Sequence, residues 1–367
     1  MRNITETPVA GTQTARQQGA GTQTAGQPAA GQRGGRRTAR ILAALLALAF
    51  CLGCAACGGT GPKLPGLSRP VERGEGATAE SYPYVIRTEN AVWHLSRDDM
   101  ELLGQEAYCQ GLETLMQDAE ADFAEARELL APWLWEEIPP VDIYTDFCGH
   151  MEESKMFGAY YRSQRDIRLF HDWNVAGQSL LHEYVHYLSF GCTDEPIIMD
   201  LWADGLAEYV SRYACRDRMA RRSSLAMMDP ETVEQARRYG LLDEDGCLDP
   251  LRLLLFEAER VKAPENVGQK YGSISQTLII RTERMNEHPS YTTISYDEAG
   301  AILAYLVETY GGELVFGHWD MEPRDMEEVY GKGFEELYRD WEVWNRARCD
   351  ELGIRLDLAK ADAEKAG

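Results

Sequence analysis

Two histidines four residues apart, His182 and His186, stand inside the apolar run of residues 180–190, with Glu183 directly after the first. The run reads as a helix, and on a helix residues four apart share a face, so the two imidazoles converge on one point. Two imidazoles at that spacing suit a borderline-soft divalent metal, zinc above all. Glu183, one residue on, reaches past the metal towards the water that the metal activates. That is the pattern of metal-assisted hydrolysis with Glu183 as general base.

Residues 201–210 form a second amphipathic stretch, with apolar residues at 201, 202, 206, 209 and 210. Gly191, Cys192 and Pro196 separate it from the first, so the two helices can fold back on each other. Asp204 and Glu208 again lie four apart and present two carboxylates on one face. A catalytic zinc takes three protein ligands and keeps one open position. Its histidines commonly donate their second N–H to a carboxylate. One carboxylate as ligand and one as orienting partner meet both demands.

The stretch Leu201-Trp202-Ala203-Asp204-Gly205-Leu206-Ala207-Glu208-Tyr209, following His-Glu-x-x-His, resembles the gluzincin metallopeptidases, and within them the peptidase MA-like branch. The resemblance puts Asp204 at the third-ligand position, where the family carries glutamate, and Glu208 at the residue that orients a zinc-bound histidine. It is strong at residues 180–210 and weaker elsewhere between 160 and 345. The aspartate is one methylene shorter than the family's ligand. The helices then approach more closely, or Glu208 serves as the alternative ligand, or zinc is held less tightly. The resemblance implies one Zn²⁺ and an α+β, zincin-like fold. In it a small mixed sheet, with an edge hairpin packed on the active-site helix, is followed by a mostly helical half. It also implies a substrate strand at Gly158, Ala159 and Tyr160, although on pattern alone this is an ordinary strand. Tyr296 falls where the family stabilises an oxyanion; by itself it reads as a core or capping tyrosine.

The start of the chain is of another kind. Residues 1–40 are rich in Gly, Ala, Gln, Thr and Arg, and cannot bury a core. Arg36, Arg37 and Arg40 precede a ten-residue apolar run at 41–50, followed by Cys51, Cys54 and Cys57 among small residues. A basic flank, a short apolar run and small residues describe a secretory signal. The run falls short of the ~20 residues that span a bilayer. The cysteines resemble the lipobox of bacterial lipoproteins, with Cys57 or Cys54 acylated. The expectation is therefore a disordered leader and signal (1–57), a flexible tether (58–82) and a sheet-containing half (83–174). The metal-binding and helical half (175–350) and a polar tail (351–367) complete the chain. The protein would be exported and anchored by lipid to the outer face of the bacterial cell membrane.

The formal charge is −23, and residues beyond 57 hold 31 of the 37 basic and 59 of the 60 acidic side chains. Acidic side chains there are nearly twice as many as basic ones, so nucleic acid is not expected as a partner. Such acidity could favour cationic substrates. Six cysteines lie beyond 57 without Cys-x-x-Cys spacing, consistent with either disulfides or free core thiols. Residues 84–87 and 91–95 read as one hairpin, with His94 structural, and 157–161 with 167–170 as another. Residues 98–130 read as one long helix and 141–145 as a strand. Helical stretches follow near 230–240 and 249–262. The function expected is zinc-dependent hydrolysis of peptide bonds in a peptide or protein substrate. The alternatives are a weak or inactive zincin-like surface binding lipoprotein, and an amidase acting on cell-wall material.

Overall fold

A computed structural model describes residues 61–147, 158–170, 177, 179–194, 196–197, 200–219, 221, 229–260, 277–281 and 291–359. The leader with Cys54 and Cys57, Cys148, and residues 360–367 of the expected tail lie outside them.

Glu72–Arg73 (β1), Tyr84–Arg87 (β2), Ala91–Leu95 (β3), Val141–Asp146 (β4), Gly158–Tyr161 (β5) and Asp166–Phe170 (β6) form one mixed sheet. Its order is β1-β2-β3-β4-β6-β5. β3, β4 and β6 run parallel at the centre, and antiparallel partners flank them on both sides. Both hairpins read from sequence alternation are present. In β4 the period of two buries Val141, Ile143 and Thr145 and leaves the residues between them half-buried.

Parallel neighbours need a crossover, and between β3 and β4 it is helical. The single helix expected over 98–130 is two, Arg97–Leu103 (α1) and Gln105–Leu130 (α2). Gly104 divides them at φ +82°, a left-handed value that glycine adopts without a Cβ clash. The break re-phases α1 against α2. Leu112, Leu115, Met116 and Phe123 of α2 are buried, whereas Leu102 of α1 is 73% exposed.

The rest is mostly helical: Leu180–Gly191 (α3), Asp200–Glu208 (α4), Pro230–Tyr239 (α5) and Pro250–Arg260 (α6), then Tyr296–Tyr310 (α7), Gly312–Phe316 (α8), Met326–Tyr330 (α9) and Phe334–Glu351 (α10). α4 continues as a π-helical turn, Tyr209–Ala214. A two-stranded hairpin, Thr277–Arg281 (β7) with Tyr291–Ser295 (β8), leads into α7. Ser295 and Glu298 form a capping box that starts α7. From Ala299 to Leu306 every residue of α7 is buried, which makes it the central helix of this half. It packs on α4, α6 and α10. Added Cβ atoms at Gly205 and Gly300 would lie 3.1 Å from Ala299 O and 2.6 Å from Glu208 Cβ, so both glycines permit the close α4–α7 crossing. Among the described residues, no helix is long and apolar enough to cross a membrane.

Two boundary expectations are corrected. The segment expected as a tether docks on the domain from Gly61 onward: Leu64 and Val71 are buried and β1 extends the sheet. The expected polar tail folds back as well, with Ile354 and Ala359 buried and Arg355 N donating to Tyr239 O. Apolar residues spaced this sparsely among Gly, Pro and charges give no periodic signal. Cys109, Cys192, Cys215, Cys247 and Cys349 are free thiols, and burial pushes Cys109 up to about 11 and Cys215 up to about 12.

Candidate metal centre

One side of α3 is core: Leu181, Tyr184, Val185 and Leu188 are fully buried, and Tyr184 stacks on Phe123 of α2 at 3.8 Å between ring centres. The opposite side is thereby fixed towards α4, and it carries His182 and His186. Their rings stand at 85° with centres 4.7 Å apart. α4 buries Leu201, Trp202, Leu206 and Ala207 and turns Asp204 and Glu208 back to α3.

His182 Nε2 and His186 Nε2 are 3.0 Å apart. Asp204 Oδ1 lies 3.3 Å from His186 Nε2 and 3.9 Å from His182 Nε2. Tetrahedral zinc, with bonds of about 2.0–2.1 Å, needs donor-to-donor edges of about 3.3–3.4 Å. Two imidazole nitrogens and a carboxylate at these separations fit such an ion. Among the described residues they form the only group of three or more His, Cys, Asp or Glu side chains close enough to share one.

Glu208 lies outside the group of three and against the far ring nitrogen of His182. Its Oε1 lies 3.1 Å from His182 Nδ1, which keeps a ring proton on Nδ1 and makes Nε2 the nitrogen that a metal would claim. Its Oε2 accepts from Arg212 Nη1 at 3.0 Å, and Arg212 pairs in turn with Asp297 in the first turn of α7. The side chains of Glu208 and Arg212 are 13% exposed and that of Asp297 is 2% exposed. Sequence reading missed Arg212 and Asp297. The available signals were the Glu208-x-x-x-Arg212 spacing and a lone arginine in an otherwise uncharged helical turn. π-Helical turns of this kind often sit at functional sites.

His186 has no such carboxylate. Its Nδ1 is buried without a hydrogen-bond partner among the described residues, and the ring instead stacks on Phe190 at 5.4 Å. Tyr296, at the start of α7, lies parallel to the His182 ring at 6.2 Å, so the structure brings it to the centre. Glu183 is 9% exposed and points to the sheet edge, where its Oε2 accepts from Tyr160 N at 2.8 Å. Gly158, Ala159 and Tyr160 thus lie in the edge strand next to the site, but the Tyr160 N–H is engaged by Glu183 and does not stand open. His94 pairs with Asp142 at 2.7 Å and stacks on Tyr144, a structural role as expected.

Burial alone would push the His182 pKa down. The hydrogen bond and charge of Glu208, followed by Glu183 and Asp204, outweigh it and hold the group up at about 9. Burial likewise pushes Glu208 up, yet Arg212 and then His182 bring it down to about 2. The two shifts describe one pair and count once. In metal-free protein the raised His182 contributes fully below its ordinary 6.5 and loses that contribution as pH rises through 9. The depressed Glu208 contributes fully above its ordinary 4.5 and loses it as pH falls through 2. Denaturant unfolding of chelated protein is expected to show less stability at about pH 10 than at about pH 6, through His182 and, above the ordinary thiol range, the buried cysteines. Zinc, competing for the Nε2 proton, should flatten that alkaline loss. A pH-independent unfolding midpoint without metal would mean that the pair is not formed.

No protein-family model matches the chain, and no curated protein matches it in sequence. The functional reading rests on the residues and their arrangement.

Proposed function

We propose that the protein is a zinc-dependent peptide hydrolase of gluzincin type, with a zincin-like fold, exported and held at the outer membrane face by an N-terminal lipid. The observation that carries this reading is the convergence of His182 Nε2, His186 Nε2 and Asp204 Oδ1 beside Glu183 on the same helix. Bound by these three, zinc would supply Lewis acidity, lowering the pKa of a water and polarising a carbonyl. Glu183 takes the proton of the attacking water and returns it to the leaving amine. The Tyr160 N–H holds one carboxylate oxygen of Glu183, so the other oxygen receives that proton. Glu208 keeps His182 in the ligating tautomer, and Arg212 keeps Glu208 in place. Tyr296, beside His182, is the candidate donor to the developing oxyanion.

The test is metal analysis of purified protein together with cleavage of a diverse peptide mixture. The expected result is one zinc per chain, with cleavage lost to a chelator and regained on adding zinc. Cleavage indifferent to the chelator, or no bound zinc at micromolar supply, would overturn the reading.

A further inference from the structure

Residues two apart in a strand share a face. Tyr160 uses that face to stack on Phe190, with ring centres 6.4 Å apart and 4° between planes. Arg162, the first residue after β5, sets its guanidinium 4.1 Å from the centre of the same Phe190 ring. Phe190 in turn stacks on His186 at 5.4 Å. The guanidinium is therefore no more than about 9.5 Å from the centre of a ligand ring, roughly three residues of extended chain.

The other arginines of this hairpin are committed. Arg165 Nη2 donates to Gly191 O at 2.7 Å, and Arg168 lies 3.7 Å from Asp166. Arg162 is exposed, and among the described residues it pairs with no carboxylate, in a chain where acidic side chains far outnumber basic ones. A guanidinium held over an aromatic ring keeps its in-plane N–H donors for a bidentate carboxylate. The charge of the whole chain acts weakly at this range, because salt screens beyond about 8–10 Å, so the local cation governs contact.

We infer that Arg162 is an anion-binding subsite of this centre, and that the substrates are peptides with a carboxylate within three residues of the cleaved bond. This rests on the peptidase reading above and replaces the expectation of cationic substrates.

The experiment uses zinc-loaded protein and a set of octapeptides with Glu, Gln or Lys at each of the three positions on either side of the cleaved bond. Cleavage is measured with the wild type, and binding with Glu183→Gln by fluorescence anisotropy. At one position, Glu is expected to exceed Gln about tenfold in kcat/KM and in affinity, as one charge-assisted contact provides. Arg162→Glu should reverse the order in favour of Lys, and Arg162→Lys should restore part of the Glu preference. Cleavage that ignores charge, or a Glu preference that survives Arg162→Glu, would overturn the subsite and leave the peptidase reading standing. If no peptide is bound or cleaved by zinc-loaded protein, both ideas are overturned.

Discussion

Glu183→Gln is expected to keep zinc near one equivalent per chain while slowing peptide hydrolysis by about 10²–10⁴-fold. Glu183 is not among the three converging donors, so the ion has no reason to leave. The substitution is isosteric, and the Tyr160 N–H decides how the new amide sits. That N–H needs an acceptor at 2.8 Å, so the amide turns its oxygen to Tyr160 and its NH₂ to the position of the free carboxylate oxygen. An amide NH₂ there donates and cannot take a proton from water. The variant should therefore fold and bind metal normally but fail at proton transfer alone. Zinc content, thermal unfolding and single-turnover cleavage separate these properties. Turnover like that of the wild type would remove Glu183 from the mechanism. Equal inactivity of both proteins, with zinc bound in both, would favour a surface protein that uses the fold for binding.

The arrangement divides its work between two kinds of element. Helices supply the donors, because a rise of 1.5 Å per residue makes a four-residue spacing a rigid pair. The sheet edge supplies the restraint on the base, because an unpaired edge strand has outward N–H groups to offer. α7 adds Tyr296 and, through Asp297, the far end of the His182–Glu208–Arg212 chain. Its approach to α4 depends on Gly300, where a methyl group would strike Glu208 itself.

What could be read beforehand follows the range of each interaction. The pairs His182–His186 and Asp204–Glu208 were legible because helical periodicity brings each together, and Glu183 from its place next to His182; the division of roles between Asp204 and Glu208 came from the resemblance. Tyr84–Arg87 with Ala91–Leu95 was legible because alternation and a short turn are local. Arg212 and Asp297 meet across 85 residues of sequence, and nothing in either neighbourhood announces the other. The break at Gly104 was missed because an apolar stripe on both sides masks a change of phase at one residue. β7 and β8, rich in Thr, Ile and Leu, carry a β signal that is short and set among polar neighbours. The docking of residues 61–73 is not legible locally, because two apolar side chains, Leu64 and Val71, and the short β1 pairing carry no periodic signal.

The choice between Asp204 and Glu208 as third ligand has the sharpest energetic consequence. Asp204 Oδ1 stands 3.3 Å from His186 Nε2 and 3.9 Å from His182 Nε2, on the side where the two nitrogens meet, whereas Glu208 is spent on His182 Nδ1 and Arg212. Asp204→Ala should therefore lose zinc at any ordinary concentration, leaving two imidazoles and an uncompensated cation. Glu208→Ala keeps all three donors but frees the His182 ring and leaves Arg212 buried with only Asp297, and should weaken zinc by about 10–100-fold. Competition against a chromophoric chelator measures both on one scale, and thermal unfolding of the metal-free variants corrects for any loss of folding. Removing Arg212 as well should add little to Glu208→Ala, since its effect on His182 passes through that carboxylate. An empty site in Glu208→Ala with full occupancy in Asp204→Ala would reverse the ligand assignment and require the His182–Glu208 contact to open when the metal binds.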